Sequence, residues 1–234
     1  MKTKQILFIL LIAVLGLFVT SGLQAKKKAP PEVTVDGLHL VPDSKLALVY
    51  AEPGADMAPY KRVKLLDAYV AFRKNWERDQ RTSSIRGSRL SSKDIEKIKT
   101  TLAAEFHSVF MEALEEAGYE VTDETGDDVM IIRPAIINLD VNAPDKHQTG
   151  RSSVYTSSAG EMTLYIELYD SVTGDIIAKA IDRQFDRNNA GFYTWTNSVT
   201  NRAAALRILK GWAGILVNAL NEAKTYGAEN ESAS

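Results

Sequence analysis

Four acidic side chains lie on one predicted hairpin and are the first candidates for catalytic groups. Glu161 and Glu167 lie on an alternating strand, and Asp170 and Asp175 lie in the turn that follows it. Two carboxyl groups can act as general acid and base when their environments separate their pKa values. Glu161 and Glu167 share a strand face but stand further apart than a glycosidase pair requires. We favour a solvated strand face with turn caps, and a hydrolase that uses these carboxylates is the alternative.

Histidines and oxygen-rich segments do not combine into a metal site. His39, His107 and His147 are far apart in the sequence, whereas zinc ligands usually follow one another at short spacing. Residues 138–142 alternate oxygen-bearing side chains, as the start of a calcium loop does, but they lack the following glycine and the distant glutamate. We predict no metal and no cofactor.

Three loops stand out by length or content, and loops on a rigid sheet commonly carry binding residues. Residues 73–90 are rich in arginine, residues 143–160 in serine, and residues 187–197 carry aromatic side chains. Guanidinium groups suit carboxylate or phosphate, and aromatic residues are enriched at binding hot spots. If the loops share one end of the sheet they form one surface, whose predicted binding residues are Arg73, Arg78, Arg81, Arg86, Phe192, Tyr193 and Trp195.

Each of these groups also has a purely structural interpretation. The basic segment can be a solvated loop, with a helical turn around Trp76. The aromatic residues can seal the core below a helix, with Trp195 at its start. The sequence leaves these alternatives open.

A sheet and two helices must position the loops. Apolar residues recur every three or four positions in 91–117 and 200–224, which predicts two amphipathic helices. Ser91 and Asp94 have the spacing of a capping box, and Gly118 suits a left-handed C-terminal cap. We predict an α+β fold, in which a mixed, largely antiparallel sheet has two long helices packed on one face. Its predicted strands are 36–40, 46–51, 63–72, 119–122, 129–141, 162–169 and 176–185.

The predicted strand 129–141 is apolar on both faces along its first half. Its apolar odd-numbered residues, from Val129 to Val141, are expected to share one face. Pro134 cannot donate a backbone hydrogen bond and indicates a bulge or a locally unpaired site. Gly174 suits a positive φ in the turn of the hairpin that follows.

The first 25 residues have the three parts of a secretory signal peptide: a positive start, an apolar run and a small polar end at Ala25. The apolar run is shorter than the roughly 20 residues that a spanning helix needs. We predict cleavage near Ala25, then a tether over 26–35, a single domain over 36–224 and a disordered tail over 225–234. We expect a periplasmic or secreted location and no further segment that spans a membrane.

The net charge and the lack of cysteine exclude several classes of function. Without residues 1–25, which hold two lysines and no acid, 26 basic and 30 acidic groups remain, a net charge of −4. This balance gives no overall attraction to nucleic acid. The chain has no cysteine, which excludes disulfides and thiol catalysis. The expected partner is an envelope protein or a cell-wall component, and the sequence does not define an oligomeric state.

Several segments resemble one known family in their order along the chain. They are 46–50 (Leu-Ala-Leu-Val-Tyr) before Pro53 and Gly54, 60–63, 132–136 (Ile-Arg-Pro-Ala-Ile), 160–164 with Glu167, 170–175, and the region of Trp212 and Ala213. The chain resembles the exported bacterial proteins and lipoproteins grouped as domain of unknown function 3313, over most of residues 40–220. It departs from the lipoproteins because it lacks their cysteine. The resemblance implies a compartment and no activity, so we expect a non-enzymatic envelope binding or accessory protein, with an envelope hydrolase as the alternative.

Export can be tested by mass. We expect the mature protein to begin near Lys26 and to be recovered in the periplasmic or secreted soluble fraction, because the N-terminal pattern is that of a cleaved signal. Intact-mass spectrometry of each fraction measures this. A full-length mass in washed membranes would contradict the prediction.

Overall fold

A computed structural model describes the backbone of residues 29–83, 91–141, 155–156, 158–187, 194–195 and 198–232. Side-chain environments are described for 29–80, 91–141, 160–185 and 202–225. The chain divides into residues 1–31 and a compact unit of residues 32–234. All of the helices and strands below lie in this second unit.

The strands and helices of the described residues include the predicted ones in the predicted order. They are β1 (His39–Leu40), β2 (Leu48–Ala51), β3 (Arg62–Leu65), β4 (Tyr69–Phe72), α1 (Trp76–Ser83), α2 (Ser92–Glu116), β5 (Glu120–Val121), β6 (Val129–Val141), β7 (Tyr155–Thr156), β8 (Ser158–Asp170), β9 (Ile176–Arg187), β10 (Thr194–Trp195) and α3 (Ser198–Ser232). Of these, α1, β7 and β10 lie in segments that were predicted as loops.

The main sheet has eight strands and is mixed. Its order is β1-β2-β9-β8-β6-β3-β5, and β4 also pairs with β6, on the side that β3 occupies. The pairs of β6 with β3 and β4 are parallel, as is β3 with β5, whereas β1-β2, β2-β9, β9-β8 and β8-β6 are antiparallel. A separate antiparallel pair joins β7 to β10. The predicted α+β class with a mixed, largely antiparallel sheet is confirmed.

The two long helices, α2 and α3, pack on one face of the sheet, as predicted. Alternate residues of β8 face them, and Phe106 and Phe110 of α2 stack with ring centroids 3.9 Å apart. Burial of this apolar surface is the main force that holds the layers together. The core beneath the helices includes Leu164, Ile166, Leu102, Leu114, Leu209, Trp212 and Leu220.

Helix α2 begins and ends where its sequence predicts. The Ser91 side chain accepts from the Asp94 backbone N–H, and the Asp94 side chain accepts from the Ser91 backbone N–H, which completes the capping box. Gly118 follows the helix with φ +86°, the left-handed conformation that glycine adopts most readily. Gly174 in the hairpin turn likewise has φ +75°, as expected.

Strand β6 has the predicted bounds, but its irregularity lies elsewhere. Pro134 pairs in register with Ile166, and the register with β8 instead shifts between Ile137 and Asp140. Asn138 adopts φ +53° within this shift. An extra residue in a strand reverses the alternation of side chains beyond it. Leu139 is therefore buried like the even-numbered residues before it, and the predicted single odd-numbered face is wrong after Ile137.

Several predicted boundaries also change, three of them by more than a few residues or by a change of element type. The strand expected over 63–72 is two strands, β3 and β4, separated by residues 66–68. Helix α1 occupies part of the expected basic loop 73–90. Helix α3 runs to Ser232, so it continues beyond the predicted end at 224 into the segment expected to be a tail.

Helix α3 also bears on the expectation that no further segment could span a membrane. Within the described residues, Arg202–Thr225 is long and apolar enough to do so by length and composition alone. Leu209, Trp212 and Leu220 of this segment are buried in the core of the domain. A core helix passes the same test of length and composition, which therefore carries no membrane assignment.

The buried carboxylate of Asp182 joins three parts of the fold. This residue of β9 is 4% exposed. Its Oδ1 accepts from the backbone N–H of Ala47 at 3.0 Å, and its Oδ2 accepts from Trp212 Nε1 and Gln184 Nε2, each at 2.8 Å. A buried carboxylate is tolerated when such donors replace water. Asp182 thereby fixes α3 and the start of β2 against β9.

We expect the Asp182–Trp212 bond to be measurable by a double-mutant cycle. Trp212→Phe removes one donor from a buried carboxylate and should lower the free energy of unfolding by about 1–3 kcal/mol. Asp182→Asn should cost a similar amount, and the double variant should cost less than their sum. Urea unfolding at neutral pH measures all three.

Trp76→Phe is the matched control, because its indole Nε1 donates to the carbonyl of Val141 and not to Asp182. Its cost should add to that of Asp182→Asn. Equal coupling in both cycles would contradict a specific bond.

Candidate functional site

The strands that flank the three predicted loops come together at one end of the sheet. β4 ends at Phe72, which pairs with Leu139 near the end of β6. β8 begins beside both neighbours, since Gly160 pairs with Val141 and Ser158 pairs with Arg187. The chain therefore leaves this end into 73–90, 142–157 and 188–197.

Strands β7 and β10 connect two of these loops directly. Tyr155 pairs with Trp195, and Thr156 pairs with Thr194, in antiparallel register. This pairing places residues 155–156 beside residues 194–195, a contact that neither segment alone predicts.

The start of the basic loop is fixed to the end of β6 by ionic and aromatic contacts. Arg73 donates from Nε to Asp140 at 2.5 Å and from Nη1 to Asp79 at 2.7 Å. These hydrogen bonds raise the pKa of Arg73, and the bond from Arg73 lowers the pKa of Asp79. Trp76 is 1% exposed, stacks on Phe72, and donates from Nε1 to the Val141 carbonyl. Helix α1 is therefore held by its first residues.

The structure describes the side chains of two of the seven predicted binding residues, Arg73 and Arg78. Arg73 is used internally, and Arg78 lies beside Asp79 with an Nη2 to Oδ1 distance of 3.2 Å. For Arg81 in α1 and Trp195 in β10 only the backbone is described. Arg86, Phe192 and Tyr193 lie outside the described residues. Their assembly into one binding surface stays a prediction.

Glu167 belongs to a polar cluster on the sheet face opposite the helices. It is 7% exposed, although no described helix covers this face. Arg133 donates to its Oε2 from Nε at 2.7 Å and also from Nη2, and Tyr165 donates to its Oε1 at 2.5 Å. Arg133 also donates to Tyr169 Oη at 2.6 Å and lies over that ring, 4.9 Å from its centroid.

This environment keeps Glu167 ionised. Burial raises its pKa, but hydrogen bonds from Tyr165 and Arg133 outweigh burial and leave the pKa below its ordinary value. Burial and the bond to Glu167 raise the pKa of Tyr165 in turn. A general acid needs a raised carboxyl pKa, whereas the pKa of Glu167 is shifted in the opposite direction.

The other carboxylates of the hairpin have local partners as well. Asp170 accepts from the backbone N–H of Thr173 and Val172 at 2.7 and 2.9 Å, and from Tyr60 Oη at 2.9 Å. The N–H of Thr173 is the largest cause of its lowered pKa, and Tyr60 contributes further. Glu161 pairs with Arg183 at 2.7 Å across the hairpin. The turn-cap part of the preferred interpretation describes Asp170. The solvated strand face is wrong for Glu167, which is 7% exposed because Arg133 and Tyr165 enclose it.

No group of metal-binding side chains lies among the described residues. His107 of α2 is 4.0 Å from Asp67, His39 lies in β1, and His147 is outside the described residues. In the calcium-like segment, Asn138 forms the bulge of β6 and Asp140 pairs with Arg73. The segment thus has a structural use.

Sequence reasoning missed two features of this region. Asp140 was considered only as a metal ligand, although its partner Arg73 lies 67 residues away, a separation with no local signal. The cluster around Glu167 did have a signal. Tyr165, Glu167 and Tyr169 alternate along β8, which places the two phenols beside the carboxylate on one face.

The fold and these contacts define an α+β layered protein, in which the ends of β4, β6 and β9 and the start of β8 lie at one end of the sheet. The model of the family described as "Protein of unknown function (DUF3313)" matches residues 38–216, and the chain belongs to this family. The resemblance found from the sequence is thereby confirmed. Comparison with curated proteins finds no significant match.

Several solved structures are similar in outline. A DUF330 protein from Xanthomonas campestris is 12% identical, with a TM-score of 0.39 and coverage of 77% of this chain and 93% of that one. The PelC dodecamer from Paraburkholderia phytofirmans is 10% identical, with a TM-score of 0.34 and coverage of 69% of this chain and 94% of that one. A minor lipoprotein from Acinetobacter baumannii is 10% identical, with a TM-score of 0.33 and coverage of 73% of this chain and 95% of that one. Structural similarity at these TM-scores does not support an inference about function.

We expect Asp170 to make stability depend on pH. Its folded pKa lies below the unfolded value of about 3.9. Its contribution is therefore present above that value and is lost as the pH falls through the folded pKa. The free energy of unfolding, measured in urea from neutral pH to about pH 3, should fall less steeply for Asp170→Asn than for the wild type.

Asp175→Asn is the control, because it removes the same charge from the same turn. The two variants change the net charge equally, so a difference between their slopes reports the hydrogen bonds of Asp170. Equal flattening by both variants would assign the effect to net charge and not to the Asp170 hydrogen bonds.

Proposed function

We propose that this DUF3313 protein is an exported, non-enzymatic binding or accessory protein of the bacterial envelope, and that it binds through the loops at one end of its sheet. The observation that carries the proposal is the common origin of the three long loops. Phe72, Val141, Ser158 and Arg187, which flank them, lie at the same end of neighbouring strands. Loops on such a scaffold provide binding residues without disturbing the core.

The contacts of Arg73 support a rigid base for this surface. Arg73, Asp140 and Asp79 tie the first loop to β6, and the backbone pairs of β7 and β10 tie the second loop to the third. A base that is already ordered reduces the entropy lost on binding. The remaining arginines and the aromatic residues Phe192, Tyr193 and Trp195 would then contact the partner.

The chemistry of the hairpin supports binding over hydrolysis. Glu167 and Asp170 both have lowered pKa values and accept hydrogen bonds from fixed donors within the fold. A hydrolase would need one carboxyl group with a raised pKa facing a substrate cleft. We therefore place the carboxylates in the scaffold and the partner at the loops.

The proposed location rests on the N-terminus and on composition. The signal-like residues 1–25 support export. A net charge of −4 after cleavage gives no general attraction to nucleic acid. An envelope protein or a cell-wall component is the partner class that fits these properties.

The test compares variants at the two ends of the sheet. Purified mature protein is mixed with washed envelope material, and the fraction that sediments with it is measured. Tyr193→Ala with Trp195→Ala should reduce the bound fraction at least tenfold, as loss of hot-spot aromatics does. The melting temperature should stay close to that of the wild type.

Val172→Ala is the control, because Val172 is 56% exposed in the turn at the opposite end. It should leave binding unchanged. A large fall in melting temperature for the aromatic variant would assign those residues to the core, where truncation costs roughly 3–5 kcal/mol. Equal loss of binding in both variants would exclude the loop end as the binding surface.

A further inference from the structure

Two tyrosine side chains flank an alanine on the sheet face opposite the helices. Tyr69 of β4 pairs with Ala135 of β6, and Ala135 pairs with Tyr165 of β8, so the three form one row across the sheet, the tyrosine row. Neighbouring strands are about 4.8 Å apart, which places the two tyrosine Cα atoms roughly 10 Å apart with one methyl group between them. Tyr69 is 68% exposed. The row is therefore low at Ala135, with an aromatic side chain on each side.

Arg133 lies beside the tyrosine row, two residues before Ala135 on the same face of β6. Its side chain is 57% exposed. Its Nε and Nη2 donate to Glu167, and Nη2 also donates to Tyr169. Nη1 has no acceptor among the residues whose side chains are described. The contacts with Glu167 thus fix the guanidinium, and both N–H groups of Nη1 are left for a ligand.

Tyr165 offers an acceptor next to this donor. Its only O–H donates to Oε1 of Glu167 at 2.5 Å. Burial and this hydrogen bond raise the pKa of Tyr165, so the phenol keeps its proton. Because that proton is directed at Glu167, the phenol oxygen presents only lone pairs to a ligand. Arg133 pairs with Glu167 in register, so Tyr165 is its diagonal neighbour on β8.

A free donor beside a free acceptor favours a particular chemical group. A hydroxyl group both donates and accepts, so it satisfies Arg133 and Tyr165 together. A carboxylate or phosphate only accepts, and it would place negative charge against the Tyr165 oxygen. Four basic side chains of this face are also neutralised by carboxylates, which leaves little attraction for an anion. These pairs are Arg133 with Glu167, Lys179 with Asp36, Arg183 with Glu161, and Arg73 with Asp140.

We propose that this face binds an uncharged glycan, whose hydroxyl groups contact Arg133 Nη1 and Tyr165 Oη and one of whose sugar rings packs on Tyr69. A sugar ring carries C–H groups on its faces and hydroxyl groups at its edge, so it can use an aromatic surface and polar groups at the same time. The site is separate from the loop-end binding surface, because Ala135 lies six residues before the end of β6. The proposal does not depend on that surface.

The first experiment is calorimetric titration of the mature chain with hexasaccharides. Chitohexaose, cellohexaose and maltohexaose are the uncharged probes, and hexagalacturonate is the anionic one. At least one uncharged probe should bind, and it should bind more tightly than hexagalacturonate. No binding of any uncharged probe at millimolar concentration, or tighter binding of hexagalacturonate than of all three, would overturn the proposal.

Variants of the tyrosine row test the contacts with the probe that binds. Tyr69→Ala should weaken binding about tenfold, because it removes the aromatic surface, whereas Tyr69→Phe keeps the ring and should retain most of the affinity. Ala135→Leu fills the low point of the row and should weaken binding as much. Tyr69 is exposed, so the melting temperature of both Tyr69 variants should stay that of the wild type.

Val172→Ala in the distant hairpin turn is the control and should leave affinity unchanged. Full affinity in Tyr69→Ala, or equal loss in Tyr69→Ala and Tyr69→Phe, would exclude packing of a sugar on the ring.

Amide NMR locates the site independently. Titration with the bound probe should shift the resonances of Tyr69, of residues 133–135 and of residues 165–167. The amides of 158–160 and 185–187, at the loop end of β8 and β9, should not shift. Shifts confined to those loop-end residues would refute the sheet-face site and leave the loop-end proposal standing.

Discussion

Strand β6 accepts hydrogen-bonded neighbours on both sides along its length, and this double pairing organises the rest of the sheet. On one side it holds β8 antiparallel from Met130 to Val141. On the other it holds two short parallel strands in succession, β3 and then β4. A strand paired on both sides leaves few backbone groups unsatisfied, so its first half can be almost fully buried. Val129, Met130 and Ile132 are each 0% exposed.

Features set by neighbouring residues were predictable. The capping box of α2, the glycine that follows it and the β8–β9 hairpin all depend on contacts a few positions apart, so their residues carry the signal. Gly174 is an example, because a positive φ favours glycine wherever it occurs. The fold class follows from the order of such elements.

Features set by distant residues were not predictable. The bulge lies at Asn138 and not at Pro134, the residue that suggested one. It shifts the register of β6 against both of its neighbours, the parallel β4 on one side and the antiparallel β8 on the other. Helix α1 depends on Trp76 reaching the Val141 carbonyl across 65 residues. At the candidate site, the sequence predicted Arg73 as a binding residue and could not find Asp79 and Asp140, the two aspartates with which it pairs inside the fold.

The two buried carboxylates of the hairpin are stabilised in different ways. Glu167 has a cation, Arg133, and two phenols around it. Asp182, on the helix side, has only neutral donors from an indole, an amide and a backbone N–H. Both arrangements penalise a shifted register, because a slip of one residue would bury each side chain without its hydrogen-bond donors.

The position of α3 along the chain has a consequence for how the protein is made. Strands β1 to β9 all precede it, so Leu209, Trp212 and Leu220 can join the core only after the sheet segments have been synthesised. Until α3 packs on the sheet, Asp182 lacks its indole donor. The domain therefore completes its core only when α3 docks, and its apolar sheet face is prone to aggregation before that step.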